Sequence, residues 1–151
     1  MTEYLLKQGQ FIRFLLKRKP YYNQIDKMVT LLVFNIDTKN IDKVYIPYSA
    51  SKELYSQILR MKNYKEYIYT FLYTNTASGV HYIKMRPETR EYIITKYFMY
   101  VPTIMKEEAL DVIDNDELGW NIHYIYKKLL SKYTHQELEH YAKDLYLDVK
   151  K

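Results

Sequence analysis

The sequence predicts an α+β protein: a small antiparallel sheet of two β-hairpins packed with about six helices, the C-terminal third being helical. Two observations carry this. Two pairs of strand-like runs, within 28–48 and 67–85, are each joined by a polar turn, and everything beyond Pro87 has helical spacing with recognisable starts and stops. No low-complexity linker or internal repeat beyond the paired hairpins interrupts the chain. It is read as one domain over 1–151, the alternative being a division near Pro102 into a mixed part and a helical tail.

Residues 3–18 read as an amphipathic helix on the stripe Leu5, Ile12, Leu15 and Leu16, closed by Lys17-Arg18-Lys19-Pro20. Met28 to Ile36 is an apolar run of strand formers, and Asp37-Thr38-Lys39-Asn40 supplies a turn. Lys43 to Tyr48 alternates as the second strand, and Pro47 predicts that it lies at a sheet edge. Ser49 or Ser51 is placed to cap a helix over 51–63, with Leu54, Ile58 and Met61 at helical spacing.

In the second hairpin, Tyr67, Tyr69, Phe71 and Tyr73 fall on one strand face, while Ile68, Thr70 and Leu72 take the other. A turn over Asn75 to Gly79 leads into Val80 to Met85. Pro87 with Glu88 and Glu91 opens a helix whose apolar face is Ile93, Ile94, Tyr97 and Phe98, and Pro102 closes it. Thr103 is placed to cap a short acidic helix, Leu118 to Leu130 forms another around Trp120, and Thr134 with Glu137 makes a capping box for the last.

The most unusual compositional feature is nineteen tyrosines in 151 residues, against three glycines and no cysteine. Tyrosine pairs a large apolar ring with a hydroxyl that wants a partner, which suits surfaces that touch another molecule. Absent cysteine removes disulfides, thiol catalysis and cysteine-ligated metal sites, and fits a reducing compartment. With no signal-peptide pattern and no long apolar run, the expected location is the cytoplasm, with no membrane contact. Lysine outnumbers arginine 18 to 5, a balance expected of an AT-rich coding genome such as many phages, viruses and low-GC bacteria possess. The net charge of +5 is unevenly spread: Glu107, Glu108, Asp111, Asp114, Asp116 and Glu117 crowd one stretch and leave the rest more strongly basic.

Two regions are candidate binding sites. The strand Tyr67, Tyr69, Phe71 and Tyr73, extended by Tyr82 and flanked by Lys84, would stack bases or grip a protein if its face were open. The plainer reading is that helices cover this face and the rings are core. The cluster Arg13, Lys17, Arg18 and Lys19, followed by Tyr21 and Tyr22, would contact phosphates, or else is a solvated helix end. The acidic stretch departs from a calcium loop at Leu118 and Ile125, and Glu137, His140 and Asp144 supply a single Glu-x-x-His half-motif. No phosphate loop, dinucleotide fingerprint or nucleophile elbow is present.

The sequence therefore points to a small non-enzymatic binding protein that uses a tyrosine-rich surface and no cofactor. The expected partner is a protein, with the chain acting as inhibitor, adaptor or assembly component. A DNA- or RNA-binding protein is the alternative, and a metal-dependent nuclease the third reading. A hairpin edge also puts homodimerisation within reach of the fold.

Overall fold

The computed structural model describes residues 1–115 and 121–151 of the chain. They group into two compact units, Met1–Lys84 and Met85–Lys151.

The first unit contains β1 (Thr2–Leu5), β2 (Phe11–Leu16), β3 (Tyr21–Asn23), β4 (Met28–Asn35), β5 (Asn40–Pro47), α1 (Tyr48–Arg60), β6 (Tyr67–Asn75) and all but the last residue of β7 (Ser78–Met85). These strands form one seven-stranded mixed sheet in the order β1-β5-β4-β2-β6-β7, with β3 also pairing β4. The expected pair of hairpins is thus too small a sheet. Both are present, as β4–β5 and β6–β7, but β2 stands between them and joins them, pairing antiparallel with β4 and with β6. β1 adds to β5 in parallel, which makes the sheet mixed.

The error lay in the expected helix over 3–18, which is two strands. Ile12, Phe14 and Leu16 are buried and alternate with Phe11, Arg13 and Leu15, a period of two that the helical stripe had cut across. Gly9, at φ +88°, turns the chain between them, a conformation that glycine adopts without a side-chain clash. Lys17-Arg18-Lys19-Pro20 therefore closes a strand. Pro47 also needs correction, since β5 lies inside the sheet between β1 and β4. β1 covers β5 only from Asp42 to Tyr45, so Pro47 sits past the end of that ladder and costs it no hydrogen bond.

The register assigns every strand residue to a face. Phe14, Leu16, Val29, Leu31, Val33, Val44, Ile46, Tyr67, Tyr69, Phe71 and Tyr73 lie on the inner face and are buried. α1 packs on this face through Ala50, Leu54 and Ile58. It is preceded by Pro47, with no side-chain cap; Ser51 instead donates to the Pro47 carbonyl at 2.9 Å. In the β4–β5 turn, Asn35 Oδ1 accepts from the amides of Asp37 and Thr38, and Lys39 takes the left-handed conformation at φ +61°.

The second unit contains α2 (Pro87–Tyr97), α3 (Thr103–Asp114), α4 (Ile122–Leu129), α5 (His135–Tyr141) and α6 (Lys143–Lys150). Pro87 occupies the first helical position of α2 as expected. Thr103 begins α3 without capping it. The Thr134–Glu137 capping box is complete, with both reciprocal bonds at 3.1 Å. The expected last helix is broken at Ala142 (φ −121°, ψ 57°), giving α5 and α6. The expectations for Asp116, Glu117, Leu118, Gly119 and Trp120 lie outside the described residues.

Tyrosine hydroxyls tie these helices together. Tyr97 donates to Asp148 at 2.9 Å, Tyr133 to Glu108 at 3.1 Å, and Tyr126 shares a 2.7 Å bond with His135 Nδ1. Arg90 grips Asp114 with two bonds of 2.8 and 3.2 Å. Part of the tyrosine excess is therefore structural: the rings of Tyr97 and Tyr126 are buried and that of Tyr133 half-buried, while each hydroxyl bonds across to another part of the unit.

Candidate functional site

The four aromatics expected to form a binding face are interior. Tyr69 is 0% exposed, Tyr67, Phe71 and Tyr73 are buried, and none offers a ring to a partner. Tyr69 stacks on Phe14 with ring centroids 5.5 Å apart, and its hydroxyl donates to the Tyr64 carbonyl at 2.6 Å. Burial raises its pKa far above the ordinary tyrosine value, so it stays a neutral donor.

The other face of the same sheet is the open one. Paired positions Phe11–Leu72, Leu15–Phe34, Phe34–Ile41 and Tyr45–Leu5 all project from it. Phe11 is 62% exposed, and Leu5, Ile41 and Leu72 are exposed too. β7 continues this face: its His81 points to α1, bonding Gln57 at 2.9 Å, so by alternation Val80, Tyr82 and Lys84 project outward. Tyr82 is 69% exposed. Apolar side chains from β1, β5, β2, β6 and β7 thus share one exposed surface, which is the usual composition of an interface centre.

The charges on this surface are largely spoken for. Arg13 pairs with Asp37 at 2.9 Å, and Lys43 with Glu3 at 3.7 Å. Lys17, Arg18 and Lys19, in the β2–β3 connection, are exposed and make no ion pair among the described residues. Of the neighbouring tyrosines, Tyr21 is 61% exposed on β3, whereas Tyr22 is half-buried against Tyr48 and Tyr55, its ring 4.4 Å from that of Tyr48. The basic cluster and the outer face are therefore built from different elements. Phe11 is hidden from a helical reading of 3–18, and the alternation of β2 carries its signal; Leu72 is legible as the second face of its strand, but only the pairing of β2 with β6 sets it beside Phe11.

His81 is held below the ordinary histidine pKa, chiefly by burial, with Glu53 acting in the opposite sense. Among the described residues, no group of three or more histidine or acidic side chains converges as a metal site requires. Glu137 and His140 keep their spacing on α5, but Asp144 lies beyond the break at Ala142, on α6, so the three do not share one continuous helix face. Among the described residues no helix is long and apolar enough to cross a membrane. No known protein family, curated protein or solved structure matches this chain.

Proposed function

We propose that this chain is a small cytoplasmic binding protein that docks another protein on the outer face of its sheet, as an inhibitor, adaptor or assembly component. The observation that carries this reading is the exposed apolar surface centred on Phe11, Leu72 and Tyr82, in which the adjacent cations Arg13 and Lys43 are already paired. Burying such a surface favours association through the hydrophobic effect, and aromatic anchors near its centre dominate the binding energy. A partner of matching character presents an apolar patch without a strong negative charge.

Capture from the native host with wild-type and Phe11→Asp/Tyr82→Asp chains tests the proposal. The double variant is expected to lose the partner while keeping its circular dichroism spectrum and melting temperature, because both side chains are exposed. Equal capture by both chains would overturn it. A second copy of this chain as the partner would show as a doubled mass in solution that the double variant halves.

The unpaired Lys17-Arg18-Lys19 run beside exposed Tyr21 favours a second reading, in which the β2–β3 connection holds single-stranded DNA or RNA. Affinity would then fall steeply with salt, and Lys17→Glu/Arg18→Glu would weaken binding about tenfold or more and flatten the salt slope by about two charges. Nucleic-acid binding unchanged in that variant rejects this reading and leaves the first intact.

A further inference from the structure

We propose that the cleft between β1 and the β4–β5 turn binds an organic cation, an ammonium or guanidinium group carried on a short apolar stem. The cleft has a volume of about 620 Å³ and is lined by Tyr4, Leu5, Leu6, Gln10, Phe11 and Asp42, with Asn35 and Thr38 at one end and Lys7 also in its wall. It lies wholly within the first unit.

Asp42 is the reason to expect a ligand. It is 5% exposed, it lines the cleft, and its carboxylate receives no hydrogen bond and no ion pair from any described residue. The residue is buried but its carboxylate oxygens open on the cleft, so an incoming cation would meet a carboxylate that no other group has claimed. Asp42 pairs with Thr2 and shares its strand face with Val44, which pairs with Tyr4, so Tyr4 and Asp42 stand side by side on one face. Burial and the Asp42 charge both raise the Tyr4 pKa, keeping its hydroxyl protonated and polar next to the carboxylate. Asn35 offers less, because its carbonyl oxygen is already taken by two turn amides.

The rest of the lining selects the kind of cation. One carboxylate is too few oxygens for a hard metal ion, which takes six or more ligands. Leu5, Leu6 and Phe11 form an apolar wall instead, suited to the methylene stem of an amine or guanidine. Lys7 is exposed and makes no ion pair with Asp42, so it adds a competing charge without occupying the site. Leu5 and Phe11 border both this cleft and the outer sheet face, whereas Tyr4 and Asp42, which would hold the cation, lie on the inner face.

Titration of the full ¹⁵N-labelled chain with n-butylguanidinium, n-butylammonium and N-acetyl-arginine amide tests it, with n-butanol as the uncharged control. Saturable amide shifts confined to 4–11 and 35–42 are expected with the cations and not with butanol. Asp42→Asn is expected to weaken binding about tenfold or more while leaving the far-UV circular dichroism spectrum unchanged, because the amide keeps the shape and loses the charge. Lys7→Ala is expected to tighten it. Tighter binding of the arginine amide than of the free guanidinium would assign the cation to a protein side chain, and the reverse order to a small metabolite. No saturable shift with any cation, or equal affinity in Asp42→Asn, overturns the proposal.

Discussion

Tyr69→Ala is expected to unfold the sheet unit, not merely to weaken a binding surface. The ring is fully buried, stacks on Phe14, and its hydroxyl satisfies the Tyr64 carbonyl. Truncating a buried aromatic costs about 3–5 kcal/mol, a large share of a domain stability of about 5–15 kcal/mol. Urea denaturation followed by circular dichroism should show either a much lower midpoint or no folded baseline. Tyr69→Phe separates packing from hydrogen bonding and should cost about 1–2 kcal/mol. A Tyr69→Ala chain with wild-type stability would mean that the aromatic strand is not core.

The same residue sets an alkaline limit. Its folded pKa is raised above the unfolded value of 10.0, so the native state holds the proton more tightly than the unfolded chain. The resulting stability is complete below about pH 10 and is lost as pH rises from there towards the folded value. Tyr69→Phe should therefore denature over a shallower alkaline slope than wild type, after allowance for its lower starting stability.

Gly79→Ala is the second change expected to have a large effect. A Cβ at this position would clash with Phe71 Cζ and stand 2.9 Å from the Ala50 carbonyl oxygen. The ring belongs to the buried strand face and the oxygen to the backbone of α1, so neither yields cheaply. Forcing extra volume into such a contact costs about 1–3 kcal/mol, and the backbone clash places this site at the upper end. Adding Phe71→Leu should recover part of the loss by removing the ring atoms that clash, a non-additivity that a double-mutant cycle would measure. Wild-type stability for Gly79→Ala would mean that β7 and α1 stand farther apart than these contacts require.

These two positions also mark the limits of sequence reading. The pattern Tyr67, Tyr69, Phe71 and Tyr73 was legible as one strand face, but a face is apolar whether it meets helices or a partner. Burial decided which, and it decided for the core. Gly79 reads as a turn residue beside Ser78, whereas it lies within β7 at a close approach to α1 that no local pattern encodes. Phe11 was available as the first residue of an alternating run, Phe11-Ile12-Arg13-Phe14-Leu15-Leu16, bounded by Gly9 and Pro20. A helical stripe drawn from Leu5 through Leu16 concealed it, because short apolar runs satisfy both periods.

The chain by itself determined its α+β class, the two hairpins and the helical region beyond Pro87, because alternation, proline positions and the Thr134–Glu137 capping box act over a few residues. Tertiary structure decided that β2 bridges the hairpins into one seven-stranded sheet, that the tyrosine strand faces inward, and that Phe11, Leu72 and Tyr82 face out. It also brought Asp42 beside Tyr4 across a parallel pairing of residues forty positions apart. Those outcomes depend on which strands pair, and pairing is chosen by the burial of a whole face at once. No single stretch of sequence contains that information.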